Sequence, residues 1–237
     1  MVVYDLLRLY RQKGNQTKRL RVKSRTDKDM RSASNPKRRV PSLRAWLINV
    51  HKDLFKIHEE VQWVYDTDSP LSHFERIFLV AEDKRFFRHS GFDPIAFCRA
   101  FLNFVGHSAR GGGSTIDMQL VRTCTGYRER TIRRKSYETF LAFLIQYRYS
   151  KIQILRAYTG CAYMGTYLRG VEEASFKLFG KSSDSLNTKQ ACVLSALFVY
   201  PRPKNPALKW QKKILKRACY IRRVYILREK KRRQLKR

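Results

Sequence analysis

From Leu43 onward, apolar positions recur at steps of three and four: Leu43, Leu47, Val50, Leu54, Ile57, Val61 and Val64. That period lays one apolar stripe along a helix. The Asp66–Pro70 stretch, DTDSP, ends it. Ser72 and Glu75 form an S-x-x-E capping box, which predicts a second helix carrying Phe74, Ile77, Phe78 and Ala81. Asp93-Pro94, a cap followed by proline in the first turn, predicts a third, with Ile95, Cys98, Phe101, Leu102 and Val105 on its apolar face. A glycine loop, Gly111 to Gly113, follows. Beyond it the pattern predicts helices over 115–124, 129–150, 152–162, 171–179 and 188–199, with Gly180 as a C-cap. No run alternates apolar and polar residues in the manner of a strand. The fold class read from this pattern is mainly α.

Charge divides the chain further. Lys and Arg number 51 against 19 Asp and Glu, a formal net charge of +32 over 237 residues. Residues 1–41 read as a basic, flexible arm. Residues 42–206 carry the helical pattern, and at 43% apolar composition the chain can bury a sizeable core. Residues 207–237 read as one basic amphipathic helix. A positive field of this size favours polyanions: nucleic acid, anionic lipid or diphosphate. No apolar run reaches the roughly 20 residues that span a bilayer. Cys98, Cys124, Cys161, Cys192 and Cys219 form no C-x-x-C pair, and they read as buried free thiols.

Three segments carry candidate chemistry. In EDKRFFRHSGFD, Glu82, Phe86 and His89 fall on one face if the helix continues through them. An acid partly buried beside Phe86 and Phe87 has its pKa raised towards the range of a general base. The competing reading pairs Glu82 and Asp83 with Lys84, Arg85 or Arg88 on a solvated surface. In RGGGSTIDMQLVR, the glycines let backbone approach a ligand, and Ser114 and Thr115 open a helix whose amides attract an anion. An ordinary connection explains such a loop equally well. In RERTIRRKSYE, Arg134 and Glu138 are four apart, and Lys135 and Glu138 three apart. They make either a surface ion-pair ladder or a cationic cluster for a diphosphate with one acid held inside it.

Taken in order, these segments resemble the peptidoglycan glycosyltransferase family, the transglycosylase domains of penicillin-binding proteins and their monofunctional relatives. The E-D-x-x-F-x-x-H-x-G stretch is matched by Glu82, Asp83, Phe86, His89 and Gly91. G-G-S-T with a following glutamine is matched by Gly112, Gly113, Ser114, Thr115 and Gln119, and R-K-x-x-E by Arg134, Lys135 and Glu138. An S-K-x-x-I-L stretch is matched by Ser150, Lys151, Ile154 and Leu155, and G-V-E-x-A…F-G-K-S by residues 170–182. The resemblance covers roughly residues 70–206.

It implies a lysozyme-like helical fold that polymerises a lipid-linked disaccharide-peptide into glycan strands, with inversion and release of polyprenyl diphosphate. It makes Glu82 the general base, and Glu138 the acid that organises the donor diphosphate or a divalent Mg or Mn ion. No organic cofactor is implied. Arg122, Arg134 and Lys135 would neutralise the leaving group. Asp83, Phe86, His89, Gly112, Ser114, Thr115, Gln119 and Lys151 would form the rest of the substrate site. The implied partners are the precursor, the growing strand, an anionic membrane surface and other cell-wall synthesis proteins. The implied location is the outer face of a bacterial cytoplasmic membrane. Asp117, Met118, Arg122, Thr159 and Gly160 depart from the family pattern and bear on substrate fit and turnover. A non-catalytic relative that binds precursor or scaffolds an envelope complex is the alternative. A nucleic-acid-binding protein explains the charge but none of the ordered motifs.

Overall fold

The computed structural model describes residues 42–65, 67–105, 113–129 and 131–235. The arm expected over 1–41 and the glycine-loop position Gly112 lie outside the described residues. Internal packing divides the chain into Met1–Ile48 and Asn49–Arg237. Of the first unit only 42–48 is described, where the Ser42 hydroxyl accepts from the Ala45 amide at 3.3 Å. There α1 (Leu43–Val61) begins.

The second unit is helical. After α1 come α2 (His73–Glu82), a 3-10 turn at Phe86–Arg88, α3 (Pro94–Val105), α4 (Ile116–Thr125), α5 (Ile132–Gln146) and α6 (Lys151–Cys161). A two-stranded hairpin, β1 (Tyr163–Gly165) with β2 (Leu168–Arg169), leads into α7 (Val171–Phe179), α8 (Thr188–Leu197) and α9 (Leu208–Gln234). The strands are too short for alternation to show in the sequence, which is why the hairpin was not anticipated.

Local chemistry sets most boundaries. Both halves of the Ser72/Glu75 capping box form, as do matching boxes at Ser150/Gln153 and Asn187/Gln190. Asp93 Oδ1 accepts from the amides of Ile95 and Ala96 and starts α3. Thr131 caps α5, which therefore begins after residue 129 rather than at it. Gly180 ends α7 in the left-handed conformation.

Helix α8 is apolar or small on nearly every side. Ala191, Cys192, Leu194, Ser195, Ala196 and Leu197 are all buried, as a central helix requires. Helices α2, α7 and α9 pack against it, and α9 also packs on α2. Phe74, Ile77 and Phe78 of α2 are fully buried, each contributing about 1.5–3 kcal/mol by apolar burial. The basic helix set apart over 207–237 thus belongs to the same compact unit, with Ile214, Ala218, Ile221 and Tyr225 turned inward. A second packing centre is α4, which lies against α5 and α6. Among the described residues, no helix is long and apolar enough to cross a membrane.

Candidate active site

Helix α2 does not continue through His89, so Glu82, Phe86 and His89 do not share a helical face. Asp83 leaves helical geometry at φ −146° and ψ 85°. Its carboxylate accepts from the Arg85 amide at 3.3 Å, a local bond that competes with another helical turn. The same carboxylate accepts from the Ile116 amide at the start of α4, at 3.2 Å, and meets His89 Nε2 at 2.9 Å. Asp83 therefore fastens the end of α2 to the beginning of α4.

Behind it lies a buried charge network. The His89 side chain is only 3% exposed; its Nδ1 lies 3.9 Å from Asp117 Oδ2 and has no hydrogen-bond partner. Asp117 accepts two bonds from Lys151 Nζ, at 3.0 and 3.1 Å, and another from Gln146. Lys151 Nζ also sits 4.5 Å from the centre of the buried Phe86 ring. Burial pushes Asp117 up, opposed by Lys151, and pushes Lys151 down, opposed by Asp117. Thr115 caps α4 and donates to Gly91 O at 2.6 Å. Gly91 has φ +82°, and a Cβ there would lie 2.5 Å from Ala142 O in α5.

In this structure the side chains of Asp83, Phe86, His89, Thr115 and Lys151, all expected in the substrate site, also hold elements together. Three of the departures are interior as well. Asp117 is the counter-charge of Lys151, and Met118 is fully buried, its sulfur 3.8 Å from the Thr139 hydroxyl. Thr159 is also buried and donates to carbonyls of its own helix.

Glu82, Gln119, Arg122 and Glu138 differ from these. Glu82, at the end of α2, has a side chain 10% exposed and makes an ion pair with Arg217 of α9 at 2.9 Å. It does not pair with Lys84, Arg85 or Arg88; Arg85 instead makes an ion pair with Asp93 at 3.1 Å. Gln119 favours the charged form of Glu82, and its Oε1 accepts from the Tyr158 hydroxyl at 2.6 Å. Burial raises the Glu82 carboxyl above its ordinary pKa, while Arg217 and Gln119 pull it back. Burial, and then the Glu82 charge, raises the Tyr158 phenol.

Glu138 is only 1% exposed, so the surface-ladder reading does not hold. Arg134 pairs with it directly. Burial raises its pKa, against the charges of Arg122, Arg134 and Lys135. Lys135 also lies 5.1 Å from the Phe97 ring centre. One carboxylate among three cations is a donor set for an anion. It does not suit a divalent ion, which needs several oxygen ligands. The one three-residue carboxylate–imidazole cluster among the described residues is Asp83, His89 and Asp117, and Lys151 already neutralises Asp117.

Two observations join these groups. Gln119 and Arg122 are three apart on α4, hence neighbours on its surface. Gln119 favours the charged form of Glu82 and Arg122 that of Glu138, so each acid feels a residue of this face of α4. In addition, Arg134 Nε and Arg217 Nε are buried donors without an acceptor, and buried donors ordinarily find one. Ser114 lies half-buried just ahead of α4.

Sequence reasoning missed Arg217 and Tyr158. Arg217 sits in a run of Lys and Arg with nothing to distinguish it from its neighbours. Tyr158 falls on an apolar stripe, where a phenol reads as packing.

A family model described as transglycosylase matches residues 50–226. Penicillin-binding protein 2a of Streptococcus pneumoniae is 38% identical over 128 residues, 54% of this chain and 17% of that protein. Penicillin-binding protein 1A of Escherichia coli is 34% identical over 151 residues, 63% of this chain and 18% of that one. A biosynthetic peptidoglycan transglycosylase of Bdellovibrio bacteriovorus is 31% identical over 178 residues, covering 73% of this chain and 67% of the relative. The chain thus spans about a fifth of the penicillin-binding proteins it matches.

Proposed function

Since the chain belongs to the transglycosylase family, we propose that it is a peptidoglycan glycosyltransferase that extends glycan strands from a lipid-linked disaccharide-peptide. The observation that carries this reading is the pair of unlike acids bordering α4: Glu82 beside Gln119, and Glu138 enclosed by Arg122, Arg134 and Lys135. One suits a base, the other an anion site.

In this reading Glu82 takes the proton from the acceptor sugar's hydroxyl as that oxygen attacks the donor's anomeric carbon, with inversion. Burial makes its carboxylate more basic than one in water. Arg217 keeps enough of it ionised to act. The bond to the diphosphate breaks on the opposite side of the anomeric carbon. Arg122, Arg134 and Lys135 receive the departing charge, so the leaving group needs no proton. Glu138 holds Arg134 in place for that contact. The chain meets an anionic membrane peripherally, with the 12 Lys and Arg of α9 set against the single acid Glu229. It works on the outer face, where cell-wall synthesis proteins are its neighbours.

The test is polymerisation of labelled lipid-linked disaccharide, resolved by chain length. Glu82→Gln is expected to abolish polymer while far-UV circular dichroism stays native. Polymer made by that variant would remove Glu82 from its role. The non-catalytic reading is favoured by one observation, the engagement of Glu82 by Arg217, which weakens a base. It requires wild-type protein to bind precursor without making product.

A further inference from the structure

Cys124 and Cys161 are far apart in sequence, yet they lie near the ends of two helices packed on one another, α4 and α6. Cys161 is the first-named cause of the raised pKa of the Cys124 thiol. Both also line one cavity of about 390 Å³, together with Lys56, Glu59, Glu60 and Arg169. Cys161 is buried and Cys124 half-buried, and both are free thiols. The expectation of buried free thiols holds for Cys161, and Cys124 is half-buried. Both thiols border one cavity, which gives reagents a route to them. Within it Arg169 pairs with Glu60, and Lys56 with Asp53 of the same helix.

We propose that Cys124 and Cys161 form a redox-active dithiol that closes reversibly to a disulfide between α4 and α6 by exchange with a small peptide disulfide. One thiolate attacks the external disulfide and expels its first thiolate. The other thiol loses its proton and attacks the mixed disulfide, expelling the second. The protein gives up two electrons and two hydrogens, and the external disulfide becomes two thiols. Cys161, and then burial, hold the Cys124 thiol well above its ordinary pKa. Exchange is therefore slow at neutral pH and accelerates as pH rises, because the thiolate is the reacting form. The closed bond would span positions 124 to 161. It would enclose Arg134, Lys135 and Glu138, and tie the helix bearing Gln119 to the helix bearing Tyr158. This inference does not depend on the proposed function.

The full chain is incubated with oxidised glutathione at several pH values, quenched by alkylation and mapped by peptide mass. The expected result is a linked peptide pair containing Cys124 and Cys161, lighter by two hydrogens and released by dithiothreitol. Closing this loop should raise Tm by about 10 °C. Cys124→Ser and Cys161→Ser each lose the link. The wild-type map is decisive even if a variant fails to fold. The proposal is overturned if Cys124 or Cys161 carries glutathione without linking to the other. It is equally overturned if both stay reduced while the exposed Cys98 and Cys219 react, or if the only link formed joins Cys192 to Cys219.

Discussion

Replacing Arg217 by alanine removes the counter-charge of Glu82 without touching any of the family motifs. The pair is 2.9 Å from nitrogen to oxygen, which puts the charge centres about 4 Å apart. At an effective dielectric constant of about 20, that separation is worth about 4 kcal/mol. The Arg217 side chain is 25% exposed, so solvent screens part of it, and we take about 2 kcal/mol as acting on the ionised carboxyl. A general base works in its ionised form, so activity rises with pH through the carboxyl's pKa. Burial already holds that pKa high, and losing Arg217 raises it further. The acidic limb of the pH–rate profile should therefore move to higher pH, with a roughly 30-fold lower rate at a fixed pH on that limb. At high pH the two enzymes should converge. Stability should follow the same sign. The variant leaves a buried carboxylate without its partner, so its loss in Tm should be larger at pH 8 than at pH 5, where the carboxyl takes up a proton. Arg217→Lys, which keeps the charge, should recover most of the profile. Polymerisation rates and thermal unfolding measured from pH 5 to 9 decide the matter. A fall in rate that is uniform across pH, with a pH-independent loss in Tm, would show that Arg217 merely docks α9 and refute the reasoning.

Asp117→Asn strands the buried Lys151 ammonium and should cost about 3 kcal/mol by chemical denaturation; the double variant with Lys151→Met should regain much of that, and additive losses would show that the two residues are not coupled. Gly91→Ala forces a side chain into a left-handed backbone and against Ala142 O, so Tm should fall by roughly 5–10 °C, and a change within 1 °C would contradict the turn as described. Mn²⁺ added to ligand-free protein should leave Tm unchanged, because Glu138 offers one carboxylate among cations. A saturable rise that disappears in Glu138→Gln would place an ion there after all.

Helix positions were readable because their signals are local. A serine or asparagine cap bonds an amide three residues on, so Ser72 and Gly180 announce α2 and the end of α7 without help from the rest of the chain. The site was readable only in part. Glu138 among cations follows from helical spacing, although spacing gave no warning that the cluster is buried. The helix break at Asp83 was hidden, since the carboxylate that bonds the Arg85 amide there also serves an amide of α4, 33 positions away. Resemblance treated the whole E-D-x-x-F-x-x-H stretch as one surface. The structure divides it into Glu82, which meets Gln119 and Arg217, and Asp83, Phe86 and His89, which form the support. The same division explains the departures at Asp117 and Met118. Both face inward, so their chemistry changes the scaffold and leaves the wall of the site as it was.

The ion pair at Glu82 joins residues 135 positions apart, and this separation bears on how the protein is made. During synthesis α2 emerges before α9, and the guanidinium that balances its terminal carboxyl follows 135 residues later. A nascent chain can cap and collapse its first helices, but it carries an unbalanced acid until α9 docks. Fragments ending before that helix, however complete their signature motifs, should accumulate as aggregation-prone intermediates.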